Sequence, residues 1–195
     1  MNNIQSVAVY CASSTQIDEK YFEAARQLGQ GLAQRGVTLV NGAGNMGLMQ
    51  ASADACLQHG GKAIGVIPSF MIEENWQHTG MTELIVVPDM STRKNKIAEI
   101  SDAGIALPGG CGTFDELFEL ITNKQLGLYL KPIVILNVDG YFDPMLEMMD
   151  RAMKENFMRL AHGDIWKVAT TAEEAINLVF ETPMWDVNIR RFAKI

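Results

Sequence analysis

Two stretches of the sequence combine residues that can hold an anion with residues that can do chemistry beside it. In PGGCGTFDE, residues 108–116, Pro108 closes an apolar run and glycines follow at 109, 110 and 112. Unobstructed backbone there lets the N–H groups of Gly109, Gly110, Cys111, Gly112 and Thr113 converge at a helix N-terminus, where the dipole also favours negative charge. This is a phosphate cradle in outline, and it is not a Walker loop, because no GK[ST] follows. Glu116 then has two readings. It is a carboxylate working beside the bound anion, or it is the third residue of a capping box opened by Thr113, a spacing that Thr171 and Glu174 repeat with no glycine loop nearby.

The second stretch is DMSTRKNK, residues 89–96. Ser91 or Thr92 can cap a helix here, yet Arg93, Lys94 and Lys96 then crowd its first turn, where the dipole disfavours positive charge. Either the turn is simply solvated, or Arg93 shares a phosphate with the glycine loop, a task suited to its planar fork. A third motif, NGAGNMG at 41–47, meets GxGxxG through Gly42, Gly44 and Gly47. A dinucleotide site would place an acid roughly 20 residues further on, at the end of the next strand. That strand ends GVIPS, so a loop approaching some other phosphate, or a tight turn, fits better.

Other chemistry finds little support. His59, His78 and His162 are isolated, and Cys11, Cys56 and Cys111 have no CxxC spacing, so the sequence indicates no metal site and no disulfide framework. No GxSxG elbow is present. A net charge of −7 argues against nucleic acid as a partner, and an anionic ligand must be met by local groups. The N-terminus carries neither a basic leader nor a long apolar segment, which implies no membrane span and a cytoplasmic protein.

The elements that must position these residues alternate along the whole chain, read as a single domain over residues 1–195. Strands are expected at 6–12, 37–42, 62–68, 84–89, 103–109, 132–138 and 166–170. Helices are expected at 18–35, 46–59, 91–100, 113–125, 141–156 and 171–180. Strands that are apolar throughout, rather than alternating, imply a parallel sheet buried on both faces: a three-layer, Rossmann-like α/β fold. Ligands in such folds sit at the carboxyl ends of strands, which directs attention to the loops at 12–16, 41–47, 68–82, 89–95 and 108–114. The methionine-rich helix at 143–158 is either core or a subunit contact.

Taken together, PGGCGTFDE and the distant Arg93-Lys94 pair resemble the Lonely guy (LOG) family of nucleoside 5′-monophosphate phosphoribohydrolases, whose signature is PGGxGTxxE with a partner RK motif. YCASS (10–14), GAGNMGLM (42–49), GVIP (65–68), QLG (125–127) and KPIVILNVDGY (131–141) extend the resemblance over nearly the whole chain. It implies Arg93 and Glu116 as the catalytic pair, Lys94 beside them, and Gly110 to Thr113 as the phosphate loop. Further substrate contacts are implied at Thr122 and at Glu74, with Glu73 adjacent, and Ser13, Gly42 and Gly44 fall on the flanking loops. The resemblance also implies a nucleoside 5′-monophosphate substrate, no cofactor and a homodimer. The sequence departs from the family pattern at NGAG, at Gln50, at Ser91 and near Asn123 and Lys124, positions expected to border the nucleotide.

Overall fold

The computed structural model describes residues 3–186. Seven strands form one sheet, paired parallel throughout: β1 (Ser6–Tyr10), β2 (Thr38–Asn41), β3 (Ala63–Pro68), β4 (Glu83–Val87), β5 (Ala103–Ala106), β6 (Ile133–Leu136) and β7 (Lys167–Ala169). Seven helices connect and follow them: α1 (Glu19–Gln34), α2 (Gly47–Gln58), α3 (Ser69–Glu73), α4 (Met90–Ile100), α5 (Cys111–Gln125), α6 (Asp143–Lys154) and α7 (Ala172–Glu181). Every expected strand is present, most of them trimmed at their ends; β4 starts one residue earlier than expected, at Glu83, and stops at Val87. The helix missed by periodicity is α3, which at five residues is too short to show a period.

Alternate residues of each central strand enter two separate cores. Val7 and Val9 of β1 pack with α1, α2 and α7 on one face, whereas Ala8 and Tyr10 pack with α4, α5 and α6 on the other. Burial on both faces is what the unbroken apolar runs required. Met149 and, on α5, Leu117, Leu120 and Ile121 belong to the second core. The methionine-rich helix therefore turns Met149 inward and leaves Met148 62% exposed.

The strand order is β4-β3-β2-β1-β5-β6-β7. Consecutive strands run outward from β1 in one direction as far as β4, and the chain then crosses back to place β5 on the other side of β1. The loops after β1 and β5 thus part in opposite directions, opening a crevice at the carboxyl edge of the sheet.

Candidate active site

The crevice between β1 and β5 deepens into a cavity of about 490 Å³. All five loops singled out from the sequence reach it. Cys11, Ala12 and Ser13 enter after β1; Gly42, Gly44 and Asn45 after β2; Met71 and Trp76 after β3; Met90 and Arg93 from α4; and Gly110 to Thr113, with Asp115 and Glu116, after β5. Met46, Met49 and Ile67 complete an apolar wall.

Arg93 is the cationic side chain in that lining, and backbone oxygens hold it. Its Nε donates to the Val66 carbonyl at 3.1 Å and one terminal nitrogen to the Gly42 carbonyl at 3.1 Å, while the other stands 3.6 Å from Glu116 Oε1. The helix carrying it is capped by Asp89, which accepts from the Thr92 N–H at 2.7 Å, and not by Ser91 or Thr92. Capping two residues before Ser91 puts Arg93 at the start of the second turn, facing the sheet edge, rather than in the crowded first turn. Gly42 is explained by the same contact: a Cβ there would lie 1.4 Å from the Arg93 guanidinium. Gly44 accommodates Met49, and Gly47, at φ +63°, lies against the backbone of Ser13. Each glycine of the GxGxxG pattern thus has a packing reason within the protein, as the tight-turn reading requires.

Glu116 is not a capping residue. Helix α5 begins at Cys111 with Gly110 at its N-cap, so Thr113 is already its third residue, and the helix start has no side-chain cap. Thr113 is buried against Gly109, where a Cβ would meet its hydroxyl at 2.0 Å. No side chain caps the N–H groups of Cys111, Gly112 and Thr113, and these residues line the cavity, the kind of helix start at which anions are bound. By contrast, Thr171 does cap α7, accepting from the Glu174 N–H at 3.2 Å. Burial raises the pKa of Glu116 to about 7, with Arg93 opposing the shift. A carboxylate poised there exchanges protons readily at neutral pH.

Lys94, Thr122 and Glu74, with its neighbour Glu73, lie off the lining of this cavity. Lys94, one residue and about 100° around the helix from Arg93, is not part of the lining; it ion-pairs with Asp115 at 2.9 Å and Glu119 at 2.6 Å, tying α4 to α5 beside the cavity. Thr122 is exposed on α5, six residues beyond Glu116 and off the lining. Glu73 and Glu74 are exposed at the end of α3, and it is Trp76 that the same loop turns inward. The departures from the family pattern also stay out of the lining. Asn41 is buried and shapes the β2–α2 turn, accepting from the Ala43 N–H at 2.8 Å and donating to the Met49 carbonyl at 3.1 Å. Gln50 and Ser91 do not reach the cavity, and Lys124, near the end of α5, is buried. The apolar wall of Met46, Met49, Met71, Met90 and Trp76 escaped the sequence reading because scattered methionines carry no spacing signal. Their places on the βα loops were the available clue.

Known proteins resemble this chain in sequence and in fold. Residues 49–179 match the family model described as "Possible lysine decarboxylase". The chain is 42% identical over 170 residues to the probable cytokinin riboside 5′-monophosphate phosphoribohydrolase LOGL1 of Oryza sativa subsp. japonica, covering 87% of this chain and 76% of that protein. It is 38% identical over 180 residues to the cytokinin riboside 5′-monophosphate phosphoribohydrolase LOG3 of Arabidopsis thaliana, covering 92% and 84%. Among solved structures, the molybdenum cofactor binding protein from Rippkaea orientalis superposes with a TM-score of 0.71 over 92% of this chain and 97% of its own, at 24% identity, a likeness of fold alone.

Proposed function

The chain belongs to the Lonely guy (LOG) family, the cytokinin riboside 5′-monophosphate phosphoribohydrolases, and from that premise we propose that it hydrolyses the N-glycosidic bond of a purine nucleoside 5′-monophosphate. The substrate is AMP or an N6-modified AMP, and the products are free base and ribose 5-phosphate. One observation carries the reading: Glu116 and Arg93 face each other in a cavity that also receives the uncapped start of α5.

The two ends of the site are on one helix. Glu116 lies five residues beyond Cys111, roughly 7–8 Å along the axis, comparable to the separation of a 5′-phosphate from the anomeric carbon. With the phosphate on the helix N-terminus, the carboxylate meets the ribose. Binding of the phosphate fixes the sugar for a reaction several bonds away. As the bond to the base lengthens, the ribose gains oxocarbenium character, which the Glu116 carboxylate stabilises while accepting a proton from the attacking water. The leaving base takes a proton from solvent. Arg93, clamped by two carbonyls, sets the position of Glu116 and adds positive charge toward the phosphate.

The apolar wall receives the base. Met46, Phe70, Trp76, Met90 and Phe118 are large apolar side chains left between 37% and 48% exposed on elements around the mouth. A homodimer that covers them would close the site, whereas Met149 of the methionine-rich helix is buried in the second core. A cytoplasmic setting suits a nucleoside monophosphate substrate. Incubation with AMP, other nucleoside monophosphates and isopentenyl-AMP, followed by chromatography of the bases, tests the activity. Free base together with ribose 5-phosphate is expected, and no base released from any nucleotide at saturating protein would refute it.

A further inference from the structure

Glu116 has a second face. Besides the main cavity it lines a smaller void of about 10 Å³ between α4 and α5, whose other walls include Tyr10, Lys94, Asn95, Glu119 and Asn123. That volume is about one water-sized sphere, and a buried water needs two to four polar partners. The lining residues include a phenol (Tyr10), two carboxyl groups (Glu116 and Glu119), an ammonium (Lys94) and two amides (Asn95 and Asn123) from which such partners can be drawn. At its inner end sits Tyr10, buried on β1, and at its outer end Asn95 is exposed to solvent.

The proposed reaction creates a need that this void answers. Each hydrolysis leaves a proton on Glu116, and the bound nucleotide or its products cover the front of the carboxyl group. We propose that the void behind Glu116 holds an ordered water anchored by Tyr10, and that through it Glu116 returns its proton to solvent between α4 and α5. In this step the Glu116 carboxyl O–H passes its proton to the water. The water releases one of its own toward Glu119 or directly past Asn95 and Asn123 to bulk, so the water is regenerated and Glu116 is again a carboxylate. Glu119 is well placed as the next stop, one helical turn from Glu116 and paired with Lys94 at 2.6 Å.

The groups facing Glu116 are consistent with this role for Tyr10. Tyr10 and Cys11 approach from β1 and its end, Arg93 and Lys94 from α4, and Asp115 and Glu119 from its own helix. Burial and the neighbouring Tyr129 hold the Tyr10 phenol well above its usual range, so it remains a hydrogen-bond donor at any working pH. Tyr10 is therefore a positioning residue: it fixes the water and stabilises the carboxylate through it, without touching substrate.

The proposal rests on the phosphoribohydrolase reading for its purpose, but its test does not require turnover. Titration of the Glu116 side-chain carboxyl by carbon-13 NMR, in the unliganded protein and in Tyr10→Phe, reads the contact directly. Loss of the donor should raise the Glu116 midpoint by roughly half a pH unit, with the acid limb of kcat moving in parallel and KM for the nucleotide unchanged. Asn123→Leu, which closes the outer wall and leaves Tyr10 in place, should lower kcat and leave the unliganded midpoint where it was. An unmoved midpoint in Tyr10→Phe overturns the role of Tyr10, and an undiminished kcat in Asn123→Leu overturns the exit route. A shifted midpoint in a protein that hydrolyses no nucleotide would refute the reaction and keep the contact.

Discussion

Arg93 stands 3.6 Å from Glu116, beyond hydrogen-bond distance, while two of its three nitrogens are committed to the Val66 and Gly42 carbonyls. The guanidinium is therefore fixed by the sheet edge and not by its acidic neighbour. It lowers the cost of a buried carboxylate without neutralising it, which is why Glu116 remains shifted upward despite a cation beside it.

From that geometry, Glu116→Gln should reduce turnover by on the order of 10³-fold, because the negative charge is needed as the ribose becomes cationic. Nucleotide affinity, measured by calorimetry, should change little, since the phosphate is held by α5. Near-parental turnover would mean that the reacting carboxylate lies elsewhere.

The same carboxyl group makes stability depend on pH. Its folded pKa, about 7, lies above the ordinary 4.5, so the folded state binds the proton more tightly than the unfolded state. Its contribution is complete below about pH 4.5 and is lost as pH rises through 7, a difference on the order of 3 kcal/mol between the two limits. Glu116→Gln removes the titration, so thermal melts should show the variant at least as stable as the parent at pH 8 and no better at pH 5. In kcat/KM the parent's acid limb should have its midpoint near 7.

Glycines around the cavity divide into two kinds, and substitution separates them. A Cβ at position 42 collides with Arg93, so Gly42→Ala should displace the guanidinium and lose about 10²-fold in turnover. A Cβ at Gly112 meets nothing within 4 Å. Gly112→Ala should then raise stability by up to about 1 kcal/mol, as expected of an alanine replacing glycine in a helix, while raising the nucleotide KM if the phosphate sits where proposed. An unchanged KM would place the phosphate off the α5 terminus.

Lys94 and Arg93 are adjacent in sequence and opposite in role. Lys94 is engaged by Asp115 and Glu119 beside the cavity, so Lys94→Met should lower kcat/KM by less than about tenfold, whereas Arg93→Met should remove most activity. Steady-state kinetics of the two variants side by side decide this. Equal losses would show that Lys94 swings inward when nucleotide binds.

Why some of this was legible in the sequence and some was not follows from where each signal resides. All seven strands carried theirs in apolar runs, and the fold followed from burial on both faces. Glu116 could not be separated from a capping residue by spacing alone, because the helix start depends on which residue takes non-helical backbone angles, and Gly110 rather than Thr113 does so. The likeness to a family named Arg93, but only the carbonyls of Val66 and Gly42 explain why it points inward and Lys94 does not. Trp76 and the methionine wall were invisible because apolar loop residues look the same whether they face solvent or a ligand. Tyr10 carried no signal beyond its place in an apolar strand, and its contact with a void behind Glu116 is a property of the packing of α4 on α5.

Association is the last test, and the two faces of the helices provide its controls. Phe118 is 37% exposed, next to the buried Leu117 on the helix that carries Glu116. An arginine there adds charge to the proposed interface without entering the core. Phe118→Arg should therefore weaken dimerisation and activity together while the melting behaviour of the monomer survives. Met149→Arg instead forces a charge into the second core, where Met149 is 8% exposed, and should unfold the protein. Size exclusion with light scattering on the unmodified chain comes first. A monomer at micromolar concentration that is fully active would refute both the dimer and its part in closing the site, and a dimer that Phe118→Arg leaves intact would move the interface to another surface, such as that around Met148.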